Sequence, residues 1–270
     1  MSHGETKRMP ARQDFFLWRL LGTGLCFTAF GVAGLALGGI AFPLSRLVPM
    51  SPKRRREFGS RVVTLCFHGF IEFARRLGFI TYDFRGQERL GRPGQLILAN
   101  HPSLIDVVFL IGFTPQAGCV VKAALWRNPF TGGVVTSAGY VPNAPTDAMI
   151  EGAGRALKEG QALIMFPEGT RTTPGAPFEF HRGAAVVAIR AAQVITPVYI
   201  TVDPQTLTKQ EPWYRIPYRR PHFSLVVGDD IDPAPFRASE QPPKAGRALN
   251  ALLIRDFTAH LATFVPPRAR

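Results

Sequence analysis

Between Arg19 and Arg46 the chain runs for 26 positions, Leu20 to Ser45, without a charged residue. At about 1.5 Å per helical residue such a run is long enough to cross a bilayer core of about 30 Å. Gly38-Gly39 and Pro43 leave a second form open, in which the helix is broken into a re-entrant or interfacial piece. Gly34 and Gly38 have the small-residue spacing that lets helices approach closely. A cleavable signal peptide is the rival reading, and the run exceeds the roughly 7–15 apolar residues of a signal core. Lys53-Arg54-Arg55-Arg56 and then Arg61 follow. By the positive-inside rule this cluster puts the following domain on the cytoplasmic side of the inner membrane. Each such residue near anionic headgroups contributes about 1 kcal/mol of attraction. Residues 57–80 are expected to form a second, amphipathic helix touching the membrane, with Val62, Val63, Leu65, Phe67, Phe70 and Phe73 among its apolar positions and His68 as an interfacial side chain.

The 270 residues suffice for one substantial α/β domain beside this anchor. The division expected is 1–80 for the anchoring and interfacial region and 81–270 for a catalytic domain. Lys and Arg outnumber Asp and Glu by 32 to 19, a net charge of +13. A nucleic-acid partner is not expected, because the densest basic run abuts an apolar anchor and no nucleic-acid motif is present. Three cysteines, Cys26, Cys66 and Cys119, do not make a disulfide framework, which agrees with a reducing compartment.

Short apolar runs at Gln95–Ala99, Cys119–Val121, Ala162–Phe166, Val194–Val202 and Phe223–Val227 read as strands. They alternate with helical stretches after His101, over 147–159, over 182–192 and over 244–264. The last repeats Leu249, Leu252, Leu253, Phe257, Leu261 and Phe264 at helical spacing, a core-packing stripe. The pattern predicts a mixed or largely parallel sheet flanked by helices, with an N-terminal membrane-anchoring helical segment. Trp213 to Arg220 mixes aromatics and arginines, and reads either as an interfacial contact or as a solvated loop. Gly-x-Ser-x-Gly, Walker and His-Glu-x-x-His patterns are absent from the sequence, as are paired metal-spaced cysteines.

Two short segments carry chemistry. In Asn100-His101-Pro102-Ser103-Leu104-Ile105-Asp106 a histidine precedes an aspartate by five places. A histidine titrates near working pH and suits a general base, and a carboxylate on its other ring nitrogen fixes the tautomer. Five residues of continuous helix turn about 500°, leaving His101 and Asp106 about 140° apart. The pair works only with His101 in the turn before a helix and Asp106 in its first turn, and Pro102 suits such a start. Ser103-x-x-Asp106 is equally the signature of a plain capped helix start. The second segment, Phe166-Pro167-Glu168-Gly169-Thr170-Arg171, reads as a strand end entering a loop. Pro167 ends the ladder, Gly169 permits a positive φ, and Arg171 offers a planar fork for phosphate oxygens that Glu168 can orient. Alone it is also an ordinary turn with a surface ion pair.

Together, in this order and about sixty residues apart, the two segments resemble those of the lysophosphatidic acid acyltransferase family of glycerolipid acyltransferases. Lys122 through Pro129 and Gly132 to Tyr140-Val141, Phe180-His181-Arg182-Gly183, and Val194-Ile195-Thr196-Pro197-Val198 (an apolar strand broken by a proline) extend the resemblance over roughly residues 80–230. It implies an O-acyltransferase that moves a fatty acyl group from acyl-CoA or acyl carrier protein to a lysoglycerolipid hydroxyl, most simply that of 1-acyl-sn-glycerol-3-phosphate. It implies no metal and no bound cofactor. His101 and Asp106 are the implied catalytic pair. Asn100, Ser103, Glu168, Gly169, Thr170, Arg171 and Asn143 are the implied substrate-binding residues. Asn143 stands where the family commonly has a phosphate-holding arginine, so an acceptor with another headgroup is an alternative. A non-enzymatic, basic membrane-bound module is the alternative of another class.

Overall fold

The computed structural model describes residues 15–143, 146–209 and 211–263. Among them are seven strands, β1 (Thr81–Arg85), β2 (Gln95–Ala99), β3 (Gly118–Lys122), β4 (Val141–Asn143), β5 (Leu163–Met165), β6 (Val194–Asp203) and β7 (His222–Val227). They lie in the order β1-β7-β6-β2-β5-β3-β4. Every neighbouring pair is parallel except β6–β7. The five apolar runs are all strands. β1 and β4 are additional: β1 alternates apolar with polar residues at the sheet edge, and β4 is three residues long with a proline at its centre.

Pro197 does not break β6, whose pairing with β2 continues through Leu98↔Pro197. Its main-chain groups face the β7 side, where its carbonyl accepts the Gly228 N–H. The β6–β7 ladder begins only at Val198, so the missing proline N–H costs no ladder bond.

The helices are α1 (Phe16–Ala36), continued by a π-turn (Leu37–Ala41) into α2 (Phe42–Ser45), then α3 (Pro52–Arg76), α4 (Asp106–Phe113), α5 (Gly132–Ser137), α6 (Thr146–Lys158), α7 (Gly183–Ala191), α8 (Ala234–Arg237) and α9 (Pro242–Thr263). Two buried clusters sandwich the sheet. One joins Ile97, Ile164, Ile200 and Phe223 of the sheet to Val63 and Ile71 of α3 and Phe109 and Leu110 of α4. The other joins Leu98, Leu163 and Ile195 to α6, α7 and the α9 stripe Leu249, Leu253 and Phe257. Phe264, expected to end that stripe, lies outside the described residues.

The apolar N-terminal run is one helix, Phe16–Ser45, long and apolar enough to cross a membrane. Gly38-Gly39 widens it into the π-turn and does not break it. One side of α1 packs on the domain. A Cβ added at Gly34 would sit 2.1 Å from the Phe130 carbonyl oxygen, so only glycine permits this approach. The other side leaves Leu17, Leu21, Leu25, Val32 and Leu35 exposed. Ser51 caps α3 by accepting the Arg54 N–H. Part of the basic cluster has internal partners: Arg55 donates to the Ser45 and Val48 carbonyls, and Arg56 pairs with Glu159 at 2.6 Å. In α3, Val63 is buried and Leu65 and Phe73 are exposed, while His68 stands edge-on to Phe113.

Candidate active site

β2 and β5 are parallel neighbours in the register Leu98↔Met165. Their carboxyl ends therefore deliver Asn100-His101 and Pro167-Glu168 side by side, the edge where open α/β sheets bind ligands. α4 starts at Asp106, after a turn that contains Pro102 and Ser103. Its buried Val108, Phe109, Leu110 and Ile111 pin that start against the sheet, each at about 1.5–3 kcal/mol.

His101 Nδ1 lies 3.0 Å from Asp106 Oδ2, with the imidazole partly exposed and the carboxylate fully buried. The same oxygen accepts the Ser103 N–H at 2.6 Å. Ser103 Oγ and Asp106 Oδ1 are buried without a hydrogen-bond partner among the described residues. Burial pushes the Asp106 carboxyl above its ordinary pKa, against the lowering effect of His101 and the Ser103 N–H. Phe166 stacks on the His101 ring at 4.3 Å between centroids and 27° between planes, which restrains its rotation.

Glu168 turns inward. Its Oε1 accepts the His101 N–H at 3.2 Å and the Thr172 hydroxyl at 2.5 Å. Thr172 Oγ1 also accepts the His101 N–H, at 2.9 Å, while the Thr172 N–H donates to the His101 carbonyl at 2.7 Å. The two motifs are thus laced together through the backbone of His101. Burial holds the Glu168 carboxyl above its ordinary pKa, ahead of the opposing Thr172 and His101 contacts. Asn100 is buried and its amide mimics a strand neighbour, donating to the Ile200 carbonyl and accepting the Ile200 N–H, both at 2.8 Å.

Gly169 has φ 64°, and a Cβ there would lie 3.0 Å from the His181 ring. That ring belongs to the Phe180–Gly183 segment leading into α7. Thr170 is partly exposed in the same loop. Arg171 Nη1 donates to the Leu207 and Thr208 carbonyls, each at 2.8 Å, and its Nε and Nη2 make no hydrogen bond among the described residues. Asn143 is exposed at the end of β4, opposite Lys122 in the β3–β4 register. Sequence reasoning missed Thr172 and the stacking role of Phe166. The available signal for both was adjacency: each borders a motif residue, one a hydroxyl after Arg171, the other a ring before Pro167.

His101 Nδ1 thus rests on a buried carboxylate at the mouth of two parallel strands, an arrangement suited to a general base. The Acyltransferase family profile matches residues 81–201, which contain every residue of both motifs. A 1-acyl-sn-glycerol-3-phosphate acyltransferase of Pseudomonas aeruginosa is 25% identical over 182 residues, 65% of this chain and 69% of the relative. One from Helicobacter pylori is 30% identical over 113 residues, 39% of this chain and 48% of the relative, so the match spans about half of that protein. The crystal structure of the 1-acyl-sn-glycerophosphate (LPA) acyltransferase PlsC from Thermotoga maritima has the same fold, with a TM-score of 0.67 at 18% identity over 93% of this chain and all of that one. This protein is an acyltransferase. Over residues 81–201 it matches the Acyltransferase family, and it is similar to 1-acyl-sn-glycerol-3-phosphate acyltransferases in sequence and to PlsC in fold.

Proposed function

We propose that the enzyme acylates the free hydroxyl of 1-acyl-sn-glycerol-3-phosphate at a membrane surface, taking the acyl group from the thioester of coenzyme A or of acyl carrier protein. The observation that carries this reading is the 3.0 Å contact between His101 Nδ1 and the buried Asp106. Asp106 holds the proton on Nδ1, which leaves Nε2 as the base. Nε2 takes the acceptor hydroxyl proton as its oxygen attacks the thioester carbonyl. When the tetrahedral adduct collapses, the imidazolium returns that proton to the departing thiolate. Asn100, Ser103, Glu168 and Thr172 hold this geometry, and Gly169, Thr170 and the free edge of Arg171 form the acceptor loop. An acidic carrier protein and the phosphates of coenzyme A both suit a chain of net charge +13.

Residues 1–80 seat the enzyme and residues 81–270 carry the chemistry in this reading. The exposed Leu17, Leu21, Leu25, Val32 and Leu35 of α1, with Phe58, Leu65 and Phe73 of α3, form the lipid-facing surface. The continuous helix Phe16–Ser45 lies along the domain, from Gly22 against Phe79 to Gly38 against Gly133. That favours an anchor lying in the interface over one that carries the domain at its tip. The basic cluster from Lys53 to Arg61 puts the domain on the cytoplasmic face of the inner membrane. A different acceptor headgroup is the second reading, favoured by the uncharged Asn143 at the site edge. Purified protein given a labelled acyl thioester and a panel of lysolipids tests both. Transfer to lysophosphatidate that His101→Ala abolishes is the expected result, and transfer only to other lysolipids selects the second reading.

A further inference from the structure

The connection from β6 to β7, described over residues 204–209 and 211–221, belongs to neither motif and touches both. The Leu207 carbonyl accepts the Leu104 N–H at 3.2 Å and Arg171 Nη1 at 2.8 Å, and the Thr208 carbonyl accepts the same nitrogen at 2.8 Å. Leu104 sits in the turn that carries His101, and Arg171 in the loop that carries Glu168. Leu207 has φ 54°, a left-handed conformation that a leucine keeps only where its surroundings fix it.

The far end of the same connection rides on α1. The Trp213 ring lies 5.6 Å from Phe27 and against Gly24, where an added Cβ would sit 3.5 Å from the indole. Tyr218 packs on Phe16 at 5.5 Å. Arg19, buried at the start of the apolar run, donates to the Tyr218 and Arg219 carbonyls. Trp213, Tyr214 and Tyr218 remain exposed beside the apolar stripe of α1, the amphipathic ring chemistry of a lipid–water boundary.

We propose that this connection is a strap through which the seating of α1 on a lipid surface positions the acceptor loop, with Trp213 and Arg19 as positioning residues for acceptor binding. A displacement of α1 reaches Trp213 and Tyr218 directly. At the other end three hydrogen bonds deliver it to Leu104, in the turn that carries His101, and to Arg171, in the loop that carries Glu168. Two of the three bonds end on Arg171 in the proposed acceptor loop, so the proposal assigns the effect to the acceptor. The inference deepens the function proposed above. Should the unmodified enzyme prefer another lysolipid, the comparison is made with that lipid.

The test uses the full chain on phosphatidylglycerol–phosphatidylcholine vesicles carrying graded lysophosphatidate, with acyl-CoA as donor. Trp213→Ala should raise the half-saturating acceptor fraction by about 5- to 10-fold, with kcat within about 2-fold and the donor KM unchanged, and Trp213→Phe should restore it. Vesicle co-sedimentation should persist, because the apolar stripe of α1 is intact. Phe27→Ala removes the other half of the same contact and should give the same KM shift. The Trp213→Ala, Phe27→Ala double variant should be no worse than either single variant. If one single variant fails to fold, the other decides. An unchanged acceptor KM, equal shifts in donor and acceptor KM, or vesicle affinity falling in step with activity would each overturn the strap.

Discussion

Asp106 reaches His101 and the Ser103 N–H through one oxygen, Oδ2, while its other oxygen is buried without a partner among the described residues. A carboxylate so placed serves the imidazole at some expense to the fold.

Removing the base should be severe. His101→Ala is expected to lower acyl transfer by about 10²-fold or more, the usual range for a general base. The variant should fold normally, since the imidazole is partly exposed and its backbone bonds to Glu168 and Thr172 persist. Steady-state turnover beside a thermal melt checks both. Near-normal turnover in a folded protein removes the mechanism.

Asp106→Asn separates activity from stability. Burial raises the Asp106 pKa in the folded state. The native protein then holds this proton more readily than the unfolded chain. The stabilisation so gained is complete below the ordinary carboxylate value of about 3.9 and is lost as pH rises through the raised folded value. At neutral pH the ionised group burdens the fold, and asparagine removes that burden while leaving the wrong tautomer on His101. The variant should lose at least about 10²-fold in activity, yet unfold at the same or a higher temperature than the parent near neutrality. Its advantage should shrink as pH falls through the raised range. A markedly lower melting temperature at neutral pH would contradict the argument.

Thr172 supplies the lacing between the motifs, so Thr172→Ala should loosen the backbone of His101. Hydrogen bonds to charged groups contribute about 1.5–3 kcal/mol, which corresponds to a loss of about 10- to 150-fold if it is expressed at the transition state. Thr172→Ser keeps the hydroxyl and should retain most of the rate. Equal rates for the serine and alanine variants would show that the hydroxyl bridge to Glu168 Oε1 is not needed.

The local devices were legible in the sequence because each depends on neighbours in the chain. The turn before α4, the first-turn position of Asp106 and the strand end at Phe166 follow from periodicity and proline placement. The lacing was hidden because Thr172 meets His101 across 71 positions of sequence, and only the sheet register brings the two together. For the same reason the Trp213–Arg220 segment reads in sequence either as an interfacial contact or as a solvated loop. Its partner is α1, some 200 residues earlier, and no local pattern in either segment encodes that pairing. β4 escaped because three residues with a central proline fall below what periodicity resolves.

Gly169 carries the proposed acceptor loop through a backbone conformation that side chains rarely adopt, with the His181 ring 3.0 Å from where a Cβ would sit. Gly169→Ala should cost about 1 kcal/mol or more of local stability and raise the acceptor KM more than the donor KM. Initial-rate measurements with each substrate varied in turn check this. A donor-selective effect would assign the loop to the other substrate.

The acceptor's headgroup is the last point on which sequence and structure meet. Asn143 ends β4 at the edge of the strand ends that carry the motifs, facing Lys122 in register and exposed to solvent. It can hydrogen-bond a phosphate but adds no charge, so Arg171 carries most of the charge complementarity from the loop side. One nitrogen of that guanidinium is already committed to the Leu207 and Thr208 carbonyls. Losing one charge-assisted hydrogen bond costs about 1.5–3 kcal/mol, roughly 10- to 150-fold in affinity. The enzyme should therefore discriminate less sharply between lysophosphatidate and uncharged or differently headed lysolipids than a relative with arginine at this position. Asn143→Arg should sharpen that preference without changing kcat on lysophosphatidate. Arg171→Ala should abolish the preference and raise the KM for every acceptor, because it removes the loop's anchor as well as its charge. Competition assays with paired lysolipids measure the ratio directly. If the unmodified enzyme accepts lysophosphatidate alone and Asn143→Arg leaves the ratio unchanged, the edge of β4 takes no part in reading the headgroup.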